Sequence, residues 1–178
     1  MDDIAKELAK LHVLTGADFS RQVEKIACMH IFKLDENGIF CAIGESEKDY
    51  KNLIIGARKL INHGYKVFIL PNPQNVRTPD FIVERKGVYR IYDLKTISGE
   101  NSVINRLRES IGQCNQVILN MSTSYNARQL GKDIRQYFEQ NPNGVEIMIL
   151  KGSRQIIIKR KYALKVDFVK TFMMRYNK

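Results

Sequence analysis

The sequence predicts an α/β fold, a mixed central sheet flanked by helices. Three observations predict it. Segments with helical spacing of apolar residues alternate with short runs rich in β-branched and aromatic residues, in the order helix, three strands, helix, strand, then a helix and a terminal strand pair. Two of those runs, 81–83 and 88–92, flank a tight turn at Lys86-Gly87, the mark of a hairpin. Hydrophobic residues fill 44% of 178 positions, ample for the core of one domain, and no repeat or low-complexity tract interrupts them.

Residues 2–14 place Ile4, Ala5, Leu8, Leu11 and Val13 close to helical spacing, with Asp2 and Asp3 at the positive end of the helix dipole. Thr15-Gly16 breaks that pattern, and a second helix is expected over 18–33 with Phe19, Val23, Ile26 and Ala27 inward. A turn at 35–38 leads to a short strand at 39–43. Residues 1–44 thus read as an N-terminal helical extension packed on a main domain at 45–178. Ser46 caps the next helix, Asp49 completing a capping-box-like pair and Glu47 joining the first turn. Its apolar stripe is Tyr50, Leu53, Ile54, Ala57, Leu60 and Ile61, and Gly64 ends it in the left-handed region.

Residues 65–70 form the first strand of the sheet, and the hairpin follows a loop. Ser102 caps another helix, with Ile104, Leu107, Ile111 and Cys114 inward and Arg106 and Arg108 outward. A buried strand at 117–121 precedes a polar helix at 126–140 anchored by Leu130, Ile134, Tyr137 and Phe138. Strands at 145–150 and 155–160 and a final helix at 162–176 complete the chain.

Charge narrows the partners. Twenty-nine Lys and Arg against 19 Asp and Glu give a formal net charge of +10. That favours a polyanion, nucleic acid ahead of an anionic membrane surface. The three cysteines, Cys28, Cys41 and Cys114, are odd in number and far apart, which argues against a disulfide framework or a zinc knuckle. His12, His30 and His63 show no metal-ligand spacing. The N-terminus is charged and helical rather than a secretory signal, and no apolar run reaches membrane-spanning length, so a cytoplasmic site of action is expected, reached from outside if the chain is a delivered fragment.

The chemistry concentrates in 79–96. Side chains alternate across a strand, so Asp93 and Lys95 share a face two positions apart. If the two runs pair as a hairpin, Asp80 comes opposite the Asp93–Lys95 end. Two close carboxylates repel unless a cation lies between them, and a divalent ion is the usual one. Ile91, Leu94 and Ile97 flank these charges with apolar neighbours, and charges on an interior strand need a reason. Glu47 falls near the buried stripe of its helix, where it is either a third ligand or an acid serving the helix dipole.

In these residues the chain resembles the PD-(D/E)xK nuclease superfamily, with its restriction-endonuclease-like core of helix, three strands, helix and strand. Pro79-Asp80 and Asp93-Leu94-Lys95 stand where that family carries its motif. The surrounding wording (H-G-Y-K-V-F-I-L-P, T-P-D-F-I-V, Y-D-L-K-T-I and S-I-G-Q-C-N-Q-V-I-L-N) is similar to the C-terminal toxin domains of contact-dependent growth inhibition systems, several of which are transfer-RNA nucleases. The resemblance covers about residues 45–121.

It implies a metal-dependent endonuclease. Asp80, Asp93 and the Leu94 carbonyl would hold Mg²⁺ or Mn²⁺, Lys95 would orient water or stabilise the transition state, and Glu47 matches the first-helix acid approximately. Gln113 falls where many members carry a polar residue. Arg77, Arg90, Arg106, Arg108, Lys159, Arg160 and Lys161 are the candidate substrate contacts, and Tyr89, Tyr92 and Tyr125 the aromatics that could stack on bases. The toxin-like wording favours tRNA. A DNA endonuclease of a mobile element or phage, or a non-catalytic nucleic-acid-binding or assembly protein, are the alternatives. A toxin of this charge would meet an acidic immunity protein.

Overall fold

The structure, a computed structural model, describes residues 2–42, 50–73, 77–99 and 103–178. Its elements are α1 (Asp2–Ala9), a 3-10 turn (Lys10–His12), α2 (Gly16–Ala27), β1 (Phe32–Leu34), β2 (Phe40–Ala42), α3 (Tyr50–Asn62), β3 (Lys66–Ile69), β4 (Phe81–Arg85), β5 (Val88–Ile97), α4 (Val103–Glu109), β6 (Gln116–Met121), α5 (Ala127–Gln140), β7 (Glu146–Lys151), β8 (Arg154–Lys159), α6 (Arg160–Ala163) and α7 (Phe168–Tyr176). The run from α3 to β6 has the helix, three strands, helix, strand order expected from the sequence. Every strand pairs with its sequence neighbour, giving an eight-stranded ladder from β1 to β8. The β2–β3, β5–β6 and β6–β7 pairs are parallel and the others antiparallel, so the sheet is mixed. Two compact units, Met1–Tyr92 and Asp93–Lys178, divide the chain within β5. The expected boundary after Gly44 lies outside the described residues.

In the first unit, α1 and α2 bury Ile4, Leu8, Val23 and Ile26, and α3 buries Leu53, Ala57 and Leu60. Gly64 stops α3 at φ +78°, as its position predicts. The hairpin pairs Phe81 with Tyr92 and Arg85 with Val88. Lys86 (φ 54°) and Gly87 (φ 77°) both turn through the left-handed region, which a two-residue hairpin loop requires. The second helix ends six residues earlier than its periodicity suggests, at Ala27 rather than at 33. Phe32–Leu34 instead forms β1 against β2, around a turn in which Asp35 Oδ1 accepts the N–H groups of Asn37 and Ile39, each at 2.8 Å.

In the second unit, one face of β6, β7 and β8 carries Val117, Leu119, Ile147, Ile149, Ile156 and Ile158 into a core completed by α4, α5 and α7. The Asn126 side chain caps α5 by accepting the Gln129 N–H at 3.0 Å. Helices α5 and α7 meet at Gly131, where a β-carbon would lie 3.0 Å from the Phe172 ring, so the close approach depends on the missing side chain. Two expectations change here. The helix after β5 ends at Glu109, leaving Ile111 38% exposed rather than inward. The final helix is two, α6 and α7, and Leu164, expected inward, is exposed at the break.

Candidate active site

The second half of β5 carries the candidate charge pair. Asp93 and Lys95 share a face, as strand alternation demands, and Lys95 Nζ lies 3.0 Å from Asp93 Oδ2 and 3.4 Å from Oδ1. The side chains are 3% and 15% exposed. Their neighbours across the sheet are apolar. Asp93 pairs with Val117, Val117 with Ile147 and Ile147 with Ile158, while Lys95 begins the row Leu119, Ile149, Ile156. Residues paired in register point to the same side, so the ion pair faces the α4–α5–α7 core at its margin. Removing two charges from water costs several kcal/mol per ion, and their attraction offsets that cost only in good geometry, so such a pair adds little net stability over an apolar one.

Tyr137 of α5 lies within electrostatic reach of Asp93. Burial pushes its phenol up, hydrogen bonds with Ser110 and Asn141 oppose that rise, and the Cys114 and Asp93 charges add to it. Asn141 Nδ2 donates to the hydroxyl at 3.0 Å. Tyr137, read from periodicity as a helix anchor, is that and also part of the wall beside Asp93. Its polar neighbour was not legible, since the contact joins a strand to a helix more than 40 residues on.

In the first unit, Asp80 immediately precedes β4. Its N–H donates to the carbonyl of Tyr92 at 3.0 Å, and Tyr92 is the residue before Asp93 in the chain. Pro79 is buried beside it in sequence. Glu47 lies outside the described residues, as do Ser46, Asp49 and Ser102. Among the described residues, no three His, Cys, Asp or Glu side chains gather as a metal cluster.

The cationic candidates divide. Arg77 and Arg90 are exposed, and the Arg77 carbonyl meets His12 Nε2 at 2.9 Å. Arg106 pairs with Glu109 at 3.0 Å, and Arg108 donates to Gln140 and Asn105. Arg160 is committed to the fold, its Nη1 donating to the carbonyls of Phe138 and Asn141. Lys151 and Arg154 likewise bind carbonyls at the end of α7. Lys159 and Lys161 are exposed. Gln113 is half-buried, its N–H donating to the Ser110 carbonyl. Of the proposed stacking aromatics, Tyr92 and Tyr125 are 1% and 8% exposed and cannot present a ring face to a base.

Burial counts against two of the three thiols, while Cys28 is exposed. Burial pushes the Cys41 thiol up, and Cys41 Sγ is 3.0 Å from the Tyr50 hydroxyl. Cys114 is buried. No helix among the described residues is long and apolar enough to cross a membrane.

The family model for the contact-dependent growth inhibition CdiA C-terminal domain matches residues 77–156, under half of the chain. That span contains Asp80, Asp93 and Lys95. Among solved structures, the chain is similar to one in the CdiA-CT/CdiI toxin and immunity complex from Burkholderia pseudomallei, at 20% identity and a TM-score of 0.42, over 64% of this chain and 89% of that one. No curated protein sequence matches.

Proposed function

We propose that the protein is a metal-dependent nuclease acting on RNA, tRNA foremost, as a toxin-like domain. The observation that carries this reading is the buried Asp93–Lys95 pair in an otherwise apolar sheet row. Stability alone does not call for it, whereas phosphodiester hydrolysis needs a carboxylate and a cation held together. The family match over 77–156 supports the toxin context, and the net charge of +10 supports a polyanionic substrate.

Asp93, the Leu94 carbonyl and Asp80 would hold a Mg²⁺ or Mn²⁺ ion, with Glu47 a further acid. When bound, that ion supplies charge neutralisation at a phosphate and a more acidic water. Lys95 is held by Asp93 at 3.0 Å, so its ammonium is positioned before substrate arrives. There it would stabilise negative charge as it develops on the scissile phosphate. The apolar rows beside the pair keep its dielectric low and its attraction strong. An acidic immunity protein is the inhibitor this charge balance would accept.

The second reading is a non-catalytic nucleic-acid-binding or assembly protein that keeps the fold, since fold does not fix function. Cleavage of total tRNA and of plasmid DNA, with Mg²⁺, with Mn²⁺ and with chelator, separates the two. The nuclease reading expects metal-dependent cleavage that falls at least about a hundredfold in Asp93→Asn and Lys95→Ala. The substrate consumed decides RNA against DNA. Absence of cleavage of either, with salt-sensitive binding unchanged in both variants, would establish the binder.

A further inference from the structure

At the end of the ladder, a groove of about 480 Å³ opens between β8 and the α6–α7 pair. Its size suits a small aromatic ligand group. Phe168 and Ile157 supply apolar lining, and Tyr162 stands at its side with 49% of its surface exposed. Lys161 Nζ and Lys165 Nζ lie 5.0 and 5.2 Å from the Tyr162 ring centroid. Lys159 and Arg175 also border the groove, against one acid, Asp167. No ion pair among the described residues occupies any of these four cations. The Lys161 and Lys165 ammoniums both sit over the Tyr162 ring, where a stacking base would displace one of them, and a ring among cations that no carboxylate pairs is an arrangement that can grip unpaired nucleic acid, the base on the ring and phosphates on the cations.

The groove also lies in register with the candidate active site. Ile158, which lines it, ends the row that begins at Asp93. Three interstrand steps separate the two backbones, about 14 Å at the usual strand spacing.

We propose that this groove binds an unpaired nucleotide of the nucleic-acid substrate, the base stacking on Tyr162 and neighbouring phosphates meeting Lys159, Lys161, Lys165 and Arg175. The proposal rests on the nucleic-acid reading above, and its test needs no cleavage. The probe is a fluorescein-labelled single-stranded oligouridylate, titrated with the full chain in chelator and followed by anisotropy. Tyr162→Ala should weaken binding by about 5- to 100-fold, while Tyr162→Phe, which keeps the ring, stays within about twofold of the parent. Lys161→Gln with Lys165→Gln should flatten the slope of log affinity against log salt by about 1.4. The chain has no tryptophan, so Tyr162→Trp introduces a sole indole whose fluorescence should be quenched by the oligonucleotide.

Parental affinity in Tyr162→Ala, equal weakness in the Phe and Ala variants, or an unquenched indole would each overturn the proposal. So would binding of a poly-glutamate peptide in place of the oligonucleotide, which would mark the face as a dock for an acidic protein. If the stacking pattern holds and no substrate is cleaved, the groove stands and the nuclease reading falls. If cleavage holds and Tyr162→Ala binds normally, the groove alone falls.

Discussion

Glu7 in the first unit and Asp93 in the second each hold a lysine ammonium at 3.0 Å, yet the two pairs have little else in common. Around Glu7 gather Lys10 at 2.8 Å, Lys25 and the Gln22 amide at 2.6 Å, and the lysines are 49% and 59% exposed. That network ties α1 to α2 and leaves its cations in water while the Glu7 side chain is 16% exposed, so the desolvation falls mainly on the carboxylate. Around Asp93, the ladder neighbours are apolar and the lysine is 15% exposed. Equal distances therefore say nothing about purpose. The desolvation each pair suffers separates a surface fastening from a buried pair.

The sharpest way to break the comparison is to remove one partner of each. Lys95→Ala leaves a carboxylate buried, and chemical denaturation should show a loss of about 3–5 kcal/mol. Asp93→Asn combined with Lys95→Met removes both charges at similar volume. It should recover most of that loss while cleavage stays abolished. Recovery of cleavage along with stability would make the pair structural after all. A smaller effect is expected at Arg160, whose guanidinium ties β8 and α6 to the carbonyls after α5. Arg160→Gln should cost about 1.5–3 kcal/mol by the same denaturation measurement, with oligonucleotide affinity nearly unchanged.

The smallest effect belongs to Glu7, and it depends on pH. Hydrogen bonds from Gln22, Lys10 and Lys25 pull its carboxyl from 4.5 down to about 2. A group whose folded pKa is depressed stabilises the fold above its unfolded pKa and loses that contribution as pH falls through the folded one. The first unit should therefore lose the Glu7 contribution between about pH 4.5 and 2. Thermal melts of Glu7→Gln should be lower by roughly 1 kcal/mol at neutral pH and flatter across that acid window.

Much of this architecture was legible because period and punctuation are local. Lys86-Gly87 marked its hairpin, Asn126 stood at the head of α5, and two-residue alternation placed Asp93 and Lys95 on one face. What escaped was whatever depends on a distant partner. Phe32-Lys33-Leu34 continues a helical pattern until β2 is there to pair with it. The run 159–161 reads as uniformly basic, yet Arg160 turns to carbonyls 19 and 22 residues back while its neighbours stay exposed. Tyr162, next to that run and between Lys161 and Lys165, could have been noticed as an aromatic among cations. Its exposure could not, because that depends on which face of α6 packs against the sheet.

The ladder that pairs each strand with its sequence neighbour also bears on how the chain reaches this state. Contacts between sequence neighbours close, at the longest, one crossover of a helix and its loops, and the entropy each closure costs rises slowly with loop length. Relative contact order is thereby kept down for a sheet-rich protein, and low contact order goes with fast folding. No strand must wait for one synthesised much later. Each can dock on the edge left by its predecessor, so a chain emerging residue by residue from a narrow exit can lay down its sheet in the order it appears.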